Sequence, residues 1–417
     1  MTDSSIPKFH EKSREERIKK VASFSGLSKE DIEILKNGGI SFNEANNMVE
    51  NAIGTISFPL GIATNFQING KNYLIPMSIE EPSVIAAASK AAKIAKKQGG
   101  FTMKADDSYS IGQIQVVDVK KIKLAMSNVI RSKKEILKLA NSKSKTLSKM
   151  GKGAKQVTCK KVKSDYGTML IVELLIDVGD AMGANVTNTM CEGVAPLIEK
   201  LTGGRVVLRT LSNYSTKRLV RGTAIFDKEE LGGQETVDNI ILAYQFAVND
   251  PYRAVTHNKG IMNGIIAVAN ATGQDTRAIE AAAHAYASRT GRYSSLTEWK
   301  KDKDGNLIGK IELPMSVGIV GGIVNIHPVI KVCTKILGIK SAKELACIIG
   351  AVGLAQNLSA IRALASEGIQ KGHMKLHAKN IAVSAGVTPD KINEVTKRMI
   401  KEGNVSVHRA KEIIKEL

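Results

Sequence analysis

The stretch from Gln113 to Ser212 constrains the fold more than any other part of this chain, because strand and helix patterns alternate through it. IGQIQVVDV predicts a strand, and the lysine-rich run KKIKLAMSNVIRSKKEILKLANSKSK predicts an amphipathic helix. QVTCKKVKSDYGTMLIVELLIDV predicts two strands, and DAMGANVTNTMCEGVAPLIEKLTGG predicts a loop and a helix that stops at Gly203. This order is typical of a small split βαβ domain inserted into a larger one.

The residues on either side predict an α+β domain. LSKEDIEILKNGG predicts a helix with Ser28 as its N-cap and Asp31 in a capping-box position. SFNEANNMVENAIG predicts a second helix over its whole length, and alternation around Asn69-Gly70 predicts a tight hairpin. The tail from Thr388 is charged and predicts further helix.

Positive charge is concentrated in one region of the chain. The net charge is +20, and the residues from Lys120 to Lys163 include 15 Lys and Arg but a single acid, Glu135. Such a region raises nucleic acid as a partner, and a nucleic-acid-binding protein is the alternative from another functional class. Aromatic residues make up only 4% of the chain and none lies in this region to stack on bases. We therefore expect nucleic acid not to be the partner.

The sequence lacks the features that mark several other classes of protein. The chain begins without a charged-then-apolar signal segment and its apolar runs are short, so we expect a soluble, cytoplasmic protein with no membrane contact. The four cysteines have no CxxC spacing, which disfavours a disulfide framework or a zinc cluster. His373 and His377 have metal-ligand spacing but no acidic partner nearby in sequence, so we expect no metal. Motifs of serine hydrolases, zincins, P-loops and Rossmann folds are absent from the sequence.

Three short segments place charge in apolar surroundings marked by glycine or proline. Glu80 and Glu81 lie in IPMSIEEPSVIAAAS, and His373 lies in EGIQKGHMKLHA. Lys259 in THNKGIMNG, in what reads as a tight turn, leads on to Asp275 in NATGQDTRAIEAAAHAY. Two carboxyl groups, an amine and an imidazole can polarise a carbonyl and move protons. Each alone is weak, since the acids could cap helices and Lys259 could be a surface lysine.

The same segments carry a resemblance to a known family. ENAIG, IPMSIEEPSVIAAAS, DAMGANVTNTM, DPYRAVTHNKGIMNG, GLAQNLSAIRALASEGIQKGHM and LHAKNIA occur in this order and span nearly the whole chain. Together they resemble the hydroxymethylglutaryl-CoA (HMG-CoA) reductases of the soluble class II type of bacteria and some archaea. The resemblance implies a four-electron reduction of the HMG-CoA thioester to mevalonate, with two hydrides from a nicotinamide cofactor. The reverse oxidation, in mevalonate catabolism, is the alternative direction.

The family pattern implies four catalytic residues. Lys259 would stabilise the oxyanion that develops on the thioester, which a fixed ammonium in a dry site does better than water. Glu81 would donate a proton at the aldehyde stage, and Asp275 would orient both Lys259 and Glu81. His373 would protonate the leaving CoA thiolate.

Further positions are implied to bind HMG-CoA. Of the four residues that would hold the HMG carboxylate and hydroxyl, Arg253 has the firmest physical basis, because a guanidinium can grip a carboxylate with two hydrogen bonds. The other three are Ser83, Asn213 and Asn263. Glu50 and Asn51 would lie at the CoA side. His10 stands where an arginine for a CoA phosphate would be expected.

The cofactor residues are implied in two places. In DAMGAN, Asp180, Met182, Gly183 and Asn185 would approach the cofactor, with glycine permitting close backbone contact. NAD-using members carry an aspartate at the position of Ser144, which here lies between Lys143 and Lys145. Loss of a carboxylate beside two ammonium groups favours a 2′-phosphate, so we expect NADPH, with NADH as the alternative. A merely solvated lysine-rich helix is the competing interpretation.

The implied architecture is α+β in three parts. Residues 1–110 and 213–371 would form a large HMG-CoA-binding and dimerisation domain around a central helix. Residues 111–212 would form an inserted ferredoxin-like NAD(P)-binding domain, and 372–417 a helical C-terminal flap. The family's sites form between two subunits, which implies a homodimer as the minimum unit and a hexamer, a trimer of dimers, as a larger assembly. The sequence pattern by itself predicts only the insert.

Overall fold

Two β-sheets form the framework of the protein. The structure is a computed structural model that describes residues 3–366 and 378–417. Its strands are β1 Leu60–Ile68, β2 Lys71–Ser78, β3 Phe101–Ala105, β4 Tyr109–Val117, β5 Gly153–Ser164, β6 Gly167–Asp177, β7 Arg205–Ser212, β8 Leu219–Phe226, β9 Thr297–Lys301 and β10 Leu307–Pro314. The large sheet has six strands in the order β2-β1-β3-β8-β10-β9, and the small sheet has four in the order β5-β6-β4-β7.

Helices cover both sheets. In chain order they are α1 Arg14–Ser25, α2 Lys29–Asn37, α3 Phe42–Met48, α4 Val84–Lys96, α5 Ile122–Arg131, α6 Lys133–Ser142, α7 Lys145–Lys149, α8 Ala184–Thr202, α9 Lys228–Leu231, α10 Gln234–Asn249, α11 Pro251–Ala271, α12 Thr276–Ala287, α13 Pro328–Leu337, α14 Ala342–Ala365, α15, described over residues 378–384, α16 Ile392–Glu402 and α17 Val407–Glu416. Two short 3-10 helices lie at Phe9–Glu11 and Gly322–Asn325.

The inserted sheet follows the predicted order of elements. β4 leads through α5, α6 and α7 into the β5–β6 hairpin, and α8 then leads into β7. The prediction of one lysine-rich helix is wrong, because the backbone leaves the helical conformation at Ser132. The break keeps Val129 of α5 and Ile136 of α6 in one core.

Local signals at the N-terminal side have mixed outcomes. The capping box of Ser28 and Asp31 is present at the start of α2, as predicted. The hairpin is confirmed as well, since β1 and β2 pair around Asn69 and Gly70, which both have positive φ. The second helix, α3, is shorter than predicted and ends at Met48. A turn at Glu50 and Asn51 follows it, and residues 52–59 carry no regular structure.

Helix α14 is the centre of the large core. It is buried along most of its length and packs against α11, α4 and the large sheet. Two glycines permit this close packing: an added Cβ would lie 2.9 Å from Met103 at Gly350 and 2.9 Å from Ile265 at Gly353. Among the described helices, α14 alone is long and apolar enough to cross a membrane. In its most apolar stretch of 18 residues, 83% is buried inside the protein. Its composition therefore reflects its place in the core.

The two sheets are joined by two adjacent crossings. The chain passes from β3 to β4 through residues 106–108 and returns from β7 to β8 through residues 213–218. Asp106 and Leu219 bridge these crossings, with each backbone amide donating to an oxygen of the other residue. In the chain, the small sheet and its helices are thus inserted between β3 and β8, which are neighbouring strands of the large sheet. The predicted domain boundaries at 111 and 212 remain predictions.

Candidate active site

Lys259 lies on a helix, and the predicted tight turn at THNKG is wrong. Helix α11 runs unbroken from Pro251 to Ala271. Gly264 serves packing instead: an added Cβ there would lie 2.9 Å from Gln356 and 3.0 Å from Val352, both on α14. Small residues here let two helices approach closely while Lys259 faces outward.

Lys259 and Glu81 form an ion pair. Nζ of Lys259 lies 3.0 Å from Oε2 of Glu81, in the turn between β2 and α4. Asn263, one helical turn after Lys259, donates from Nδ2 to the same oxygen at 3.4 Å. The Glu81 side chain is 34% exposed and that of Lys259 is 61% exposed. Two of the four predicted catalytic residues thus meet at a surface that a ligand can reach.

Ser83 is strained and has a buried hydroxyl without a partner. It precedes the first residue of α4 with φ of 79°, in the left-handed region that favours glycine. Its Oγ is buried and makes no hydrogen bond to any described residue. A buried hydroxyl usually has a partner, so this group is available to a ligand.

Arg253 is a half-buried cation at the start of α11. Burial lowers the pKa of its guanidinium, and no carboxylate lies within ion-pair distance among the described residues. Arg253 stands beside His257, whose burial lowers its pKa to about 3 and keeps the imidazole neutral. A partly desolvated guanidinium without a carboxylate partner is suited to binding an anionic group.

Asp275 caps the following helix. Its Oδ1 accepts a hydrogen bond from the amide of Ala278 at 3.1 Å and lies 3.2 Å from Arg277. In the described part of the chain its carboxylate makes no hydrogen bond or ion pair with Lys259 or Glu81. The predicted orienting role of Asp275 therefore stays a prediction.

The remaining predicted substrate positions are exposed. Asn213 lies just after β7, and Glu50 and Asn51 lie in the turn after α3, where Asn51 has a φ of 58°. Their side chains make no hydrogen bond to other described residues. His373 and His377 lie outside the described residues.

The segment that leads into α8 has the features of a phosphate cradle. Gly183 has a φ of 104°, and an added Cβ would lie 2.8 Å from Val178, so only glycine fits. Helix α8 is 19 residues long, its first turn has no side-chain cap, and Asn185 is exposed there. Unpaired amides at such a terminus attract anions. Oδ1 of Asp180 instead accepts from the amide of Ala342 at 2.8 Å, at the start of α14.

The second predicted cofactor segment is basic and ordered. Ser144 is the N-cap of α7, and its Oγ accepts from the amide of Leu147 at 3.4 Å. The methylene groups of Lys143 lie over Gly193 of α8, where an added Cβ would be 2.4 Å from Cε. Lys143 and Lys145 are exposed and have no acidic partner within the described ranges. These residues fit a phosphate group.

Two residues near the site were missed by the sequence reasoning. Arg218 donates to carbonyl groups within the Asp180–Gly183 segment, and Gln274 binds Gly318, which lies against that segment. The position of Gln274 directly before Asp275 was the only available signal, and Arg218 had none. No group of three or more His, Cys, Asp or Glu that could hold a metal ion occurs among residues 3–366 and 378–417.

Comparisons with known proteins point to one family. A family model described as hydroxymethylglutaryl-coenzyme A reductase matches residues 13–378. A 3-hydroxy-3-methylglutaryl-coenzyme A reductase from Archaeoglobus fulgidus is 52% identical over 414 residues, which cover 99% of this chain and 95% of the relative. A probable reductase of the same kind from Borreliella burgdorferi is 37% identical over 89% of this chain and 85% of its own.

Solved structures agree with the sequence comparisons. The reductase from Streptococcus pneumoniae superposes with a TM-score of 0.85 at 40% identity, and the match covers 99% of both chains. A class II structure from the same organism, bound to NADPH in open conformations, gives a TM-score of 0.83 at 40% identity over 97% of this chain and 99% of that one.

Proposed function

The chain belongs to the hydroxymethylglutaryl-CoA reductase family, and from this premise we propose that Lys259 and Glu81 carry the chemistry at the thioester. The reaction is the four-electron reduction of 3-hydroxy-3-methylglutaryl-CoA to mevalonate and CoA, a step of isoprenoid biosynthesis. The observation that carries the proposal is the 3.0 Å contact between Nζ of Lys259 and Oε2 of Glu81. An ammonium and a carboxyl group in contact can stabilise an oxyanion and deliver a proton to the same oxygen.

Each of the two residues has a distinct role. The Lys259 ammonium stabilises negative charge on the carbonyl oxygen, first of the thioester and then of the aldehyde. Glu81 supplies the proton at the aldehyde stage, and Asn263 holds its carboxyl group at 3.4 Å. Asp275 supports this pair, and His373 protonates the CoA thiolate as it leaves. The C-terminal flap, residues 372–417, closes over the bound substrate.

The HMG group binds beside this pair. Arg253 pairs with the terminal carboxylate, which accounts for a half-buried guanidinium with no carboxylate partner among the described residues. Ser83 offers its unpartnered hydroxyl to the same ligand. Asn213 contributes a further polar contact to HMG, and Glu50 and Asn51 lie on the CoA side.

NADPH is the cofactor, and residues in the helices and loops beside the small sheet fit it. When bound, its nicotinamide supplies the two hydrides of the reaction. We place its pyrophosphate at the uncapped N-terminus of α8, beside Gly183 and the exposed Asn185. Asp180 and Met182 shape the backbone there. Lys143 and Lys145 pair with the 2′-phosphate beside Ser144.

The preference for NADPH has a direct test. Replacing Ser144 by Asp places a carboxylate where a 2′-phosphate would bind, so we expect the ratio of kcat/KM for NADPH to that for NADH to fall at least about tenfold. Ser142→Asp is the matched control, since Ser142 is exposed two residues earlier and should leave the ratio unchanged. An unchanged ratio in Ser144→Asp would contradict this assignment.

Exposed apolar side chains support a homodimer with shared sites. Between α3 and β1, Val49, Ile53, Ile56 and Phe58 are 60%, 99%, 87% and 55% exposed. A cluster of this kind marks a protein interface, and its members lie on both sides of Glu50 and Asn51 in the chain. The dimer is the unit in which we expect the site to be complete. A trimer of dimers is the larger assembly, and the cytoplasm is the expected location.

One assay tests the catalytic proposal. Purified protein mixed with HMG-CoA and NADPH should oxidise the cofactor, seen as loss of its absorbance, and Lys259→Ala should lower kcat by at least about a hundredfold. Lys301→Ala is the matched control, because Lys301 also pairs with a carboxylate, Asp238 at 2.6 Å, but far along the chain on β9. Folded Lys259→Ala with wild-type kcat would overturn the assignment of Lys259.

A further inference from the structure

The return crossing from the small sheet contains a buried arginine with an unusual set of partners. Arg218 is 5% exposed, and it forms no ion pair with any residue that the structure describes. It donates to the carbonyl groups of Met182 at 3.0 Å, of Ala181 at 3.3 Å and of Val317. Burial lowers its pKa to about 10, and the nearby Asp180 and Asp177 oppose that shift. The guanidinium therefore remains charged near neutral pH and binds three carbonyl dipoles.

A glutamine on the opposite side binds one backbone residue at two points. Oε1 of Gln274 accepts from the amide of Gly318 at 2.8 Å, and Nε2 donates to the carbonyl of Gly318 at 2.9 Å. Nε2 also donates to the carbonyl of Thr272 at 2.8 Å. Both ends of the amide are thus used, which fixes the side chain in one orientation. The next residue in the chain is Asp275, the N-cap of α12.

Gly318 in turn lies directly against the Asp180–Gly183 segment. An added Cβ at Gly318 would be 2.4 Å from the amide nitrogen of Met182. The amide of Ile319 donates to the carbonyl of Asp180 at 2.9 Å, and Ala181 pairs with Val320 in a parallel bridge. The Gln274 side chain therefore holds Gly318, and the Gly318 backbone packs against Met182. Arg218 binds both of these backbone segments, at Met182 and at Val317.

We propose that Arg218 and Gln274 are positioning residues that fix the Asp180–Gly183 segment relative to Asp275. The inference rests on the proposed function, in which the cofactor binds where this segment enters α8. Gly183 is the residue before α8, so a shift of Met182 moves the first amides of that helix. Gln274 is the residue before Asp275, so the same contact connects the cofactor cradle to the N-cap of α12. Displacements of about 1 Å in such a cradle are enough to lower activity strongly.

Replacing Gln274 should separate the binding of the two substrates. Gln274→Glu is isosteric and keeps the acceptor for the Gly318 amide, but it points an anionic oxygen at the carbonyl groups of Gly318 and Thr272. The HMG group binds at Arg253, on α11, and at Ser83, beside α4, and neither residue contacts Gly318. We expect the Kd for NADPH to rise about tenfold and the Kd for HMG-CoA to stay within about twofold.

A matched control exists elsewhere in the chain. Asn69 binds Met103 in the same two-point manner, with Nδ2 donating to its carbonyl at 2.9 Å and Oδ1 accepting from its amide at 2.8 Å. Asn69→Asp therefore makes the same chemical change in the large sheet, away from the cofactor segment. It should lower the thermal unfolding temperature as Gln274→Glu does, with no change in the Kd for NADPH.

The experiment measures both Kd values by titration of the full-length protein, using NADPH fluorescence and calorimetry with HMG-CoA. A second variant, Arg218→Lys, keeps the charge but cannot reach three carbonyl groups, and should also weaken NADPH binding selectively. Equal losses of NADPH affinity in Gln274→Glu and Asn69→Asp, or unchanged affinity in Gln274→Glu and Arg218→Lys, would overturn the inference.

Failure of the proposed cofactor site is recognised separately. Gly183→Val introduces a side chain that clashes with Val178 and displaces the first amides of α8, so it should abolish NADPH binding. If Gly183→Val binds NADPH as the wild type does, the cofactor site itself is wrongly placed. If Gly183→Val abolishes binding while Gln274→Glu and Arg218→Lys have no effect, only the positioning role is refuted.

Discussion

Ser83 illustrates how a ligand-binding residue can be recognised from features that destabilise the ligand-free protein. Its left-handed backbone and its unpartnered buried hydroxyl are both unfavourable without a ligand. We expect Ser83→Ala to leave the free energy of unfolding within about 0.5 kcal/mol of the wild type and to raise the KM for HMG-CoA about five- to tenfold. Urea unfolding and steady-state kinetics measure the two quantities.

The contrasting variant is Ser89→Ala on the same helix. Oγ of Ser89 donates to the carbonyl of Ile85 at 2.8 Å and accepts from the amide of Thr64 at 3.0 Å. Its removal leaves a buried amide unpaired, so stability should fall by about 1 kcal/mol while the KM for HMG-CoA stays unchanged. A large stability loss in Ser83→Ala would show that its hydroxyl already has a structural role.

His257 should make the protein acid-labile. Nε2 lies 2.9 Å from the hydroxyls of Ser295 and Thr297, and burial lowers the pKa of the imidazole from 6.5 to about 3. The unfolded chain then binds a proton that the folded chain does not, so stability falls as the pH drops from about 6.5 towards 3. The loss attributable to His257 at pH 4 is about 3 kcal/mol. In urea unfolding between pH 7 and pH 4, His257→Gln should show a correspondingly smaller decrease than the wild type.

Helix α11 shows why one secondary-structure prediction from the sequence was wrong while others were correct. Strong local signals were sufficient where they were self-contained, as in the capping box of α2, the Asn69-Gly70 hairpin and the alternating insert. At Lys259 the neighbouring glycines indicated a turn, although Gly264 is needed for contact with α14, which lies about ninety residues away in the chain. The break at Ser132 likewise lets Val129 of α5 and Ile136 of α6 pack in one core, a contact that no local signal encodes.

The residues of the candidate site also fall into two groups, those that the sequence predicted and those that it did not. Motif resemblance was enough to select Glu81, Lys259 and Asn263, which the structure brings together. Arg218 and Gln274 were missed because their partners are backbone groups of residues distant in sequence, and no residue pattern encodes such contacts.

The two glycines of α11 provide a test of helix packing. Gly264→Val would force α11 away from Gln356 and Val352, so we expect the free energy of unfolding to fall by about 2 kcal/mol and kcat to fall as Asn263 moves relative to Glu81. At Gly260 the nearest atom to an added Cβ is 3.6 Å away, so Gly260→Ala should be neutral or stabilising by up to about 1 kcal/mol. Equal effects of both variants on stability and kcat would show that this packing does not position the site.

The exposed apolar segment between α3 and β1 is the surface through which we expect two subunits to associate. Side chains such as Ile53, 99% exposed, are unfavourable on a monomer in water, and the adjacent Glu50 and Asn51 are predicted to reach the CoA side of a shared site. We expect the wild type to have twice the chain mass of 44.8 kDa, or six times that mass as a trimer of dimers. Ile53→Asp buries a charge in the interface, so it should shift the protein to monomers and lower kcat together with it.

Light scattering after size-exclusion chromatography and activity at matched concentrations measure this coupling. Tyr166→Asp is the control, because Tyr166 is as exposed as Ile53 but lies at the tip of the β5–β6 hairpin, away from the apolar segment. It should change neither mass nor kcat. A monomeric Ile53→Asp variant with full activity would mean that one subunit holds a complete site. A variant that stays dimeric would place the interface on another surface.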